Sequence, residues 1–411
     1  MYNIEYHNCS VPTEKNFKLA LDTSKAIVDR VNTGESYYQI FKKQNPEESI
    51  EPLREIADKI RNNFSDVIVI AMGGASLNPQ MLIHFLKYKS DSSPKIHFLN
   101  TTDPIFFAEL LSTINLQTTA FIAISNSGQT LETRTLVGCM ITEYRKNKIS
   151  NFADRCFFIT NLKNGNLKEI ALQLGATMVA HQEGISGRYA GLSSVSLIIA
   201  MIAGINTSEY LAGANIVLED FYENLAESKP VLGAINTYGN KKNILVNLGY
   251  LESFDSFLEW YSQIIAESLG KDGKGYTPLK GLGPKDQHSM LQLYLDGPQD
   301  KFFSLFYVDR IEKKFSNYRV DELKQFESIA GKELKDLNRI NYDATLMALI
   351  SKNLPVRSIL LTDISAKSFG AIICHLMLEV VVIGHLMKVN SFDQPGVELI
   401  KKFSKKLSIT E

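Results

Sequence analysis

Residues 120–133 read AFIAISNSGQTLET. Ala120 to Ile124 is a short continuous apolar run, as expected of a strand buried on both faces. It passes without a linker into a hydroxyl-rich turn that should open a helix, and a strand feeding a helix in this way is half of a parallel βαβ unit. Such a helix start offers free N–H groups and the positive end of the helix dipole, and Ser125, Ser127, Thr130 and Thr133 add hydroxyls able to wrap a phosphate. The alternative is an ordinary N-cap, for which one hydroxyl suffices. No GxxxxGK[ST] pattern occurs, which argues against a nucleotide P-loop.

Outward from this stretch the same pattern repeats. Val67 to Met72 is a continuous apolar run followed directly by Gly73 and Gly74, a pair that allows close approach of backbone to a ligand, although a plain tight turn reads equally well. Ile96 to Leu99 and Cys156 to Thr160 are further strands, separated by helical stretches at roughly 25–35 residues per unit, as right-handed crossovers require. After a polar helical connector around Leu218 to Pro230 the pattern recurs, with strands at Asn243 to Leu248, Phe302 to Tyr307 and Arg357 to Thr362. The expected fold is α/β: two doubly wound parallel-sheet domains whose strand ends face a shared cleft, with helical N-terminal and C-terminal extensions. The expected divisions are a helical segment at 1–45, domains at 46–215 and 216–390, and a tail at 391–411. Within the first part, residues 13–64 carry amphipathic spacing; near the end, a turn at Asp393 to Gly396 leads into a basic helix.

Composition narrows the function. The chain has 411 residues, 45% of them hydrophobic, which supports ordinary globular cores. Its net charge is −1 with both signs interspersed, so nothing points to nucleic acid or an anionic membrane, and attraction for an anionic substrate must be local. Four cysteines, Cys9, Cys139, Cys156 and Cys374, are scattered without metal spacing and read as reduced thiols. The apolar run Leu192 to Ile205 is short of the ~20 residues a membrane span needs. The run Ala371 to Met387 carries His375, Glu379 and His385, and both runs read as buried helices. With no basic and apolar leader in MYNIEYHNCSVPTEK, a cytoplasmic protein is expected.

Acid–base groups cluster in one loop-like stretch. Residues 266–289, AESLGKDGKGYTPLKGLGPKDQHS, hold Glu267, Lys271 and His288 among Gly270, Gly273, Gly275, Pro278, Gly281, Gly283 and Pro284, which break any helix or strand period. A carboxylate and an imidazole are the commonest general acid–base groups, so Glu267 and His288 could face a bound molecule from two sides. The plainer reading makes Glu267 the end of a helix begun near Leu258 and His288 a surface hydrogen-bonder. In Ser186-Gly187-Arg188, an arginine leads into an apolar helix and needs a partner, met ordinarily by a structural ion pair. Lys401, beside Lys402, reads as a solvated helical lysine.

Taken together, SNSGQTLET (125–133), SGRYAGLSS (186–194), AESLGK with DQHS and LQLYLDGPQDK (266–301), and FDQPGVELIK (392–401) resemble the motifs of the phosphoglucose isomerase family, compact bacterial type, in the family's order. AMGGASLNP (71–79) resembles its glycine turn. The resemblance implies two sugar-isomerase (SIS-type) domains and reversible conversion of glucose 6-phosphate to fructose 6-phosphate, as in glycolysis and gluconeogenesis, without metal or organic cofactor. It implies that Glu267 carries the proton between C2 and C1 through a cis-enediol(ate), that Arg188 offsets its charge, and that His288 and Lys401 open the ring. It assigns sugar-phosphate contacts to Gly73, Gly74, Ser76, Ser125, Asn126, Ser127, Thr130, Thr133, Gly187 and Gln287. It also implies a homodimer in which His288 completes the neighbouring chain's site. Ala75 stands where the family has serine, Asn78 where it has glycine and Asn126 where many members have lysine. Ala75 and Asn126 support the alternative of a catalytically weak sugar-phosphate-binding regulator; an isomerase of another phosphosugar is a third reading.

Overall fold

The computed structural model describes residues 1–86, 94–312 and 317–407. The chain opens with strand β1 (Tyr2–His7) and helices α1 (Glu14–Asn32) and α2 (Pro46–Asn63). The first doubly wound unit follows: β2 (Asp66–Ala71), α3 (Gly74–Leu86), β3 (Lys95–Leu99), α4 (Pro104–Thr113), β4 (Thr119–Ser125), α5 (Leu131–Lys146), β5 (Cys156–Thr160), α6 (Asn166–Leu174) and β6 (Thr177–Ala180). Helices α7 (Ser194–Ile202), α8 (Thr207–Asn224) and α9 (Lys229–Gly239) lead to the second unit. It comprises β7 (Ile244–Gly249), α10 (Phe254–Leu269), β8 (Thr277–Leu282), α11 (Leu291–Asp296), β9 (Lys301–Arg310), α12 (Leu334–Ser351), β10 (Val356–Asp363) and α13 (Ala366–Met387), with α14 (Glu398–Leu407) at the end.

The first sheet has the order β3-β2-β4-β5-β6 and is wholly parallel. The second has the order β1-β10-β9-β7-β8, parallel except for β1, which pairs antiparallel with β10. The α/β class read from the apolar runs is therefore the observed one. Three strands lie beyond those runs. Pro278 and Gly281 disguise β8, yet β8 is an edge strand paired only with β7, so one side of its backbone has no ladder to lose. Edge strand β6 is only four residues long. The opening residues, read as part of a helical segment, begin instead with β1, where Tyr2, Ile4 and Tyr6 alternate with polar residues.

Period-two alternation distributes each strand between two cores. Val67, Val69 and Ala71 join a central core that also holds Phe302, Phe306, Ile359 and most of α13, whereas Ile68 and Ile70 face an outer cluster with Phe121 and Phe158. Helix α13 is the one described helix long and apolar enough to cross a membrane, and 94% of its most apolar window is buried inside the fold. Its buried carboxylate, Glu379, has partners there. Arg357 Nη1 donates to both Glu379 carboxylate oxygens at 2.8 Å, its Nη2 to the Tyr261 hydroxyl at 2.8 Å and its Nε to Ser304 Oγ at 2.8 Å. His375 Nε2 lies 3.2 Å from Glu379 and its Nδ1 2.9 Å from the Tyr2 hydroxyl. A carboxylate only accepts, so Nε2 carries the proton and Nδ1 accepts from Tyr2, which pins β1 to the core.

Candidate active site

In a doubly wound sheet, ligands bind where the strand order reverses, beyond the carboxyl ends of the strands. In the first sheet that point lies between β2 and β4, with Ala71 opposite Ile124. Gly73 and Asn126 therefore leave the same edge side by side. Gly73 adopts a left-handed φ of 55°, and a Cβ on Gly74 would lie 2.3–2.4 Å from the backbone of Gly187 and Arg188, so glycine turn and arginine loop touch along their main chains. Asn78 ties them together, its Nδ2 donating to the carbonyls of Gly74 at 2.6 Å and Gly187 at 2.8 Å. The residue that departs from the resembled pattern thus has a structural task. Ser76 is buried, and its hydroxyl accepts from Asn100 Nδ2 at 3.3 Å.

Beside this turn, Ser125 ends β4 with its hydroxyl 3.2 Å from that of Thr130, while Ser127 Oγ accepts from the Gln129 N–H at 3.2 Å. Thr130 stands at the N-cap of α5 without a side-chain cap bond. Thr133, in the first turn of that helix, is 0% exposed, and its hydroxyl has no hydrogen-bond partner. Uncapped N–H groups and an unpartnered buried hydroxyl at one helix start are donors of the kind that can hold an anion.

Glu267 lies in the last turn of α10. Its Oε1 accepts from Gln263 Nε2 at 2.9 Å and its Oε2 from Arg188 Nη1 at 3.2 Å. Gln263, one turn earlier, rests its amide against Gly73, 3.1 Å from where a Cβ would stand. Arg188 is 1% exposed and uses all five donors of its guanidinium. Besides Glu267 they reach Ser268 Oγ at 2.9 Å, Gln394 Oε1 at 3.0 Å and the carbonyls of Ser391 and Asp393 at 2.8 Å each. Lys271 pairs with Asp393 at 2.7 Å and donates to the Asn390 carbonyl; burial lowers its pKa while Asp393 works against that shift. The Tyr189 hydroxyl, 3.0 Å from Ser268, is pushed up to about 12 by burial. Glycine turn, arginine loop, Glu267 helix and the 391–394 turn thus converge, with the hydroxyl loop alongside. Gln263 was not among the residues singled out from sequence, although its spacing of four from Glu267 on one helix face is legible there.

His288 does not join this group within the chain. Helix α10 starts against the carboxyl end of β7, where a Cβ on Gly249 would lie 2.5 Å from Phe254, and β8 ends at Leu282 in register with Gly249. The thirteen-residue step from Phe254 to Glu267 then runs back about 20 Å toward the amino edge of the second sheet. His288, six residues past Leu282, is exposed at the opposite, carboxyl edge. The expected cleft faced by the strand ends of both sheets is therefore not what forms within the chain: only the carboxyl edge of the first sheet meets the site, opposite the returning ends of α10 and α13. Gln287 also lies outside this cleft, its amide donating to the Asn341 carbonyl at 3.0 Å and to Thr345 Oγ1. Lys401 falls in α14, and its side chain lies outside the described residues.

Known proteins share this arrangement of sequence. Residues 55–410 match the model of the family described as phosphoglucose isomerase. The chain is 32% identical over 384 residues to a glucose-6-phosphate isomerase of Carboxydothermus hydrogenoformans, covering 87% of this chain and 82% of that one. It is 33% identical over 354 residues to one of Methanocaldococcus jannaschii, covering 84% of each. A hypothetical protein from Thermus thermophilus superposes over 100% of both chains with a TM-score of 0.87 at 26% identity. The family match spans the first sheet, every strand of the second except β1, and every motif converging on Glu267, and the chain belongs to the phosphoglucose isomerase family.

Proposed function

We propose that this protein interconverts glucose 6-phosphate and fructose 6-phosphate, with Glu267 as the base that moves the proton. The observation that carries the assignment of the base is the Glu267 carboxylate, fixed from both sides by Gln263 and Arg188 at the glycine turn. The phosphate sits at the start of α5, held by helix N–H groups and the hydroxyls of Ser125, Ser127, Thr130 and Thr133, with Asn126, Gly73, Gly74, Ser76 and Gly187 around it. Because Asn126 is neutral, binding rests on dipoles and hydroxyls rather than a lysine charge.

The ring opens when the anomeric hydroxyl loses its proton and the ring oxygen gains one, with His288 and Lys401 acting at those oxygens. Glu267 then takes the C2 proton, giving a cis-enediol(ate), and returns it at C1 while the O2 proton passes to O1. Arg188 faces the developing charge. Since its five donors are already engaged, it offers a fixed positive field first and a direct bond only when Gln394 or Glu267 yields one.

His288 comes from a second copy in a two-fold homodimer. Supporting this, the imidazole is exposed at the sheet edge opposite Glu267, so each site needs the carboxyl edge of another chain's second sheet. A cytoplasmic location fits this reading. A coupled assay that consumes glucose 6-phosphate, supplied with fructose 6-phosphate, tests the function: turnover above the blank is expected, and none would leave only a sugar-phosphate binder. With Glu267→Gln, exchange of the substrate C2 proton with tritiated solvent should vanish while binding persists, and undiminished exchange removes Glu267 from the role.

A further inference from the structure

The loop that presents His288 is held by its neighbour. After Leu282 the chain curls back on itself: Asp286 Oδ2 accepts from the Leu282 N–H at 2.7 Å and its Oδ1 from Ser289 Oγ at 3.0 Å. The N–H groups of Gln287 and His288 donate to the carbonyls of Pro284 and Lys285 at 3.0 and 3.2 Å, closing a 3₁₀ turn. In such a turn successive side chains project about 120° apart, so adjacent residues cannot face the same way. Gln287 points inward. Both protons of its amide nitrogen are engaged by α12, one by the Asn341 carbonyl and the other by Thr345 Oγ1. Thr345 is itself buried and donates to the same Asn341 carbonyl at 3.0 Å. Helix α12 is fixed to the sheet by Asn338, whose amide donates to the Tyr250 carbonyl. With Gln287 anchored this way, His288 is turned out of the chain and exposed.

We infer that Gln287 is a positioning residue for His288: clamped by Thr345 and Asn341 of α12, it aims the imidazole away from its own chain and holds it there. This rests on the reading of His288 as a reacting group and departs from the sequence reading of Gln287 as a substrate contact, since its amide N–H groups have no proton left for a sugar oxygen. Thr345, which no motif marks, belongs to the same device.

The test compares five purified full-length proteins, wild type, Gln287→Met, Thr345→Val, His288→Ala and the double variant Gln287→Met with His288→Ala, by steady-state kinetics with fructose 6-phosphate, with melting temperatures to follow folding. Releasing the clamp should lower kcat by about ten- to a hundred-fold in Gln287→Met, and in the same direction in Thr345→Val, with KM little changed. In the double variant with His288→Ala, Gln287→Met should cost nothing further. A raised KM with unaltered kcat, or a loss that persists undiminished in the His288→Ala background, overturns the inference, as does wild-type kcat in both clamp variants. Should Gln287→Met fail to fold, Thr345→Val alone decides by the same kcat and KM criteria. Full activity in His288→Ala is a separate outcome: it removes the role proposed for His288 itself.

Discussion

Arg188 has one carboxylate, one amide, one hydroxyl and two carbonyls around a single guanidinium. A lysine there keeps the charge but has three donors on a flexible stem and cannot hold Glu267, Ser268 and the 391–394 turn together. Arg188→Lys should therefore lower kcat by at least about tenfold, more than it raises KM, because the carboxylate loses its fixed aim. Steady-state kinetics decide it: a KM effect alone would mark Arg188 as a ground-state binder. At this scale the sequence is informative where a residue type is costly to bury. An arginine before an apolar helix needs a partner, and the partner is the proposed base itself. Gln263 and Gln394 escape because a neutral amide carries no such cost and fits almost anywhere. Asn78 reads as a departure until its two bonds show it joining two loops.

The helix starts and strand ends behave as their local chemistry requires. The start of α5 leaves Thr133 with a buried, unpartnered hydroxyl, a feature that costs folding and gains only when a ligand accepts or donates. Thr133→Val should accordingly leave the melting temperature unchanged or higher while raising KM for fructose 6-phosphate by roughly tenfold, the worth of about one hydrogen bond to a charged group. A lower melting temperature with unchanged KM would show the hydroxyl serving the fold instead. The continuous apolar strands were legible because a strand buried on both faces has little choice of residue. Of the four edge strands only β3 was: β8 tolerates Pro278 and Gly281 where a central strand would not, so its sequence reads as a loop.

Across the whole molecule, the buried His375 and His181 and the partly buried His385 bear on the response to acid. Burial lowers the pKa of His375, His181 and His385 below the usual imidazole value. As pH falls below about 6.5 the unfolded chain gains protons that the folded chain refuses, so stability is full above that value and declines as pH falls from there toward each histidine's folded-state pKa. Burial alone would raise the Glu379 pKa, but Arg357 and His375 outweigh it and hold the carboxyl low, so its contribution is lost at still lower pH. Thermal melts from pH 7.5 to 5.5 should show a falling midpoint; a flat profile contradicts this. Whole-molecule organisation is also where sequence is least informative about the site. The types of Glu267 and His288 are plain, yet their placement at opposite edges of one sheet depends on where α10 returns the chain. The most direct test of the proposed two-chain site is to mix inactive Glu267→Gln and His288→Ala chains, dissociate and reassemble them, and assay the mixture. Half the dimers are then mixed, each with one intact site, so about a quarter of wild-type activity should return. Mixed dimers verified by mass spectrometry that stay inactive would contradict it, placing both residues in a site of one chain.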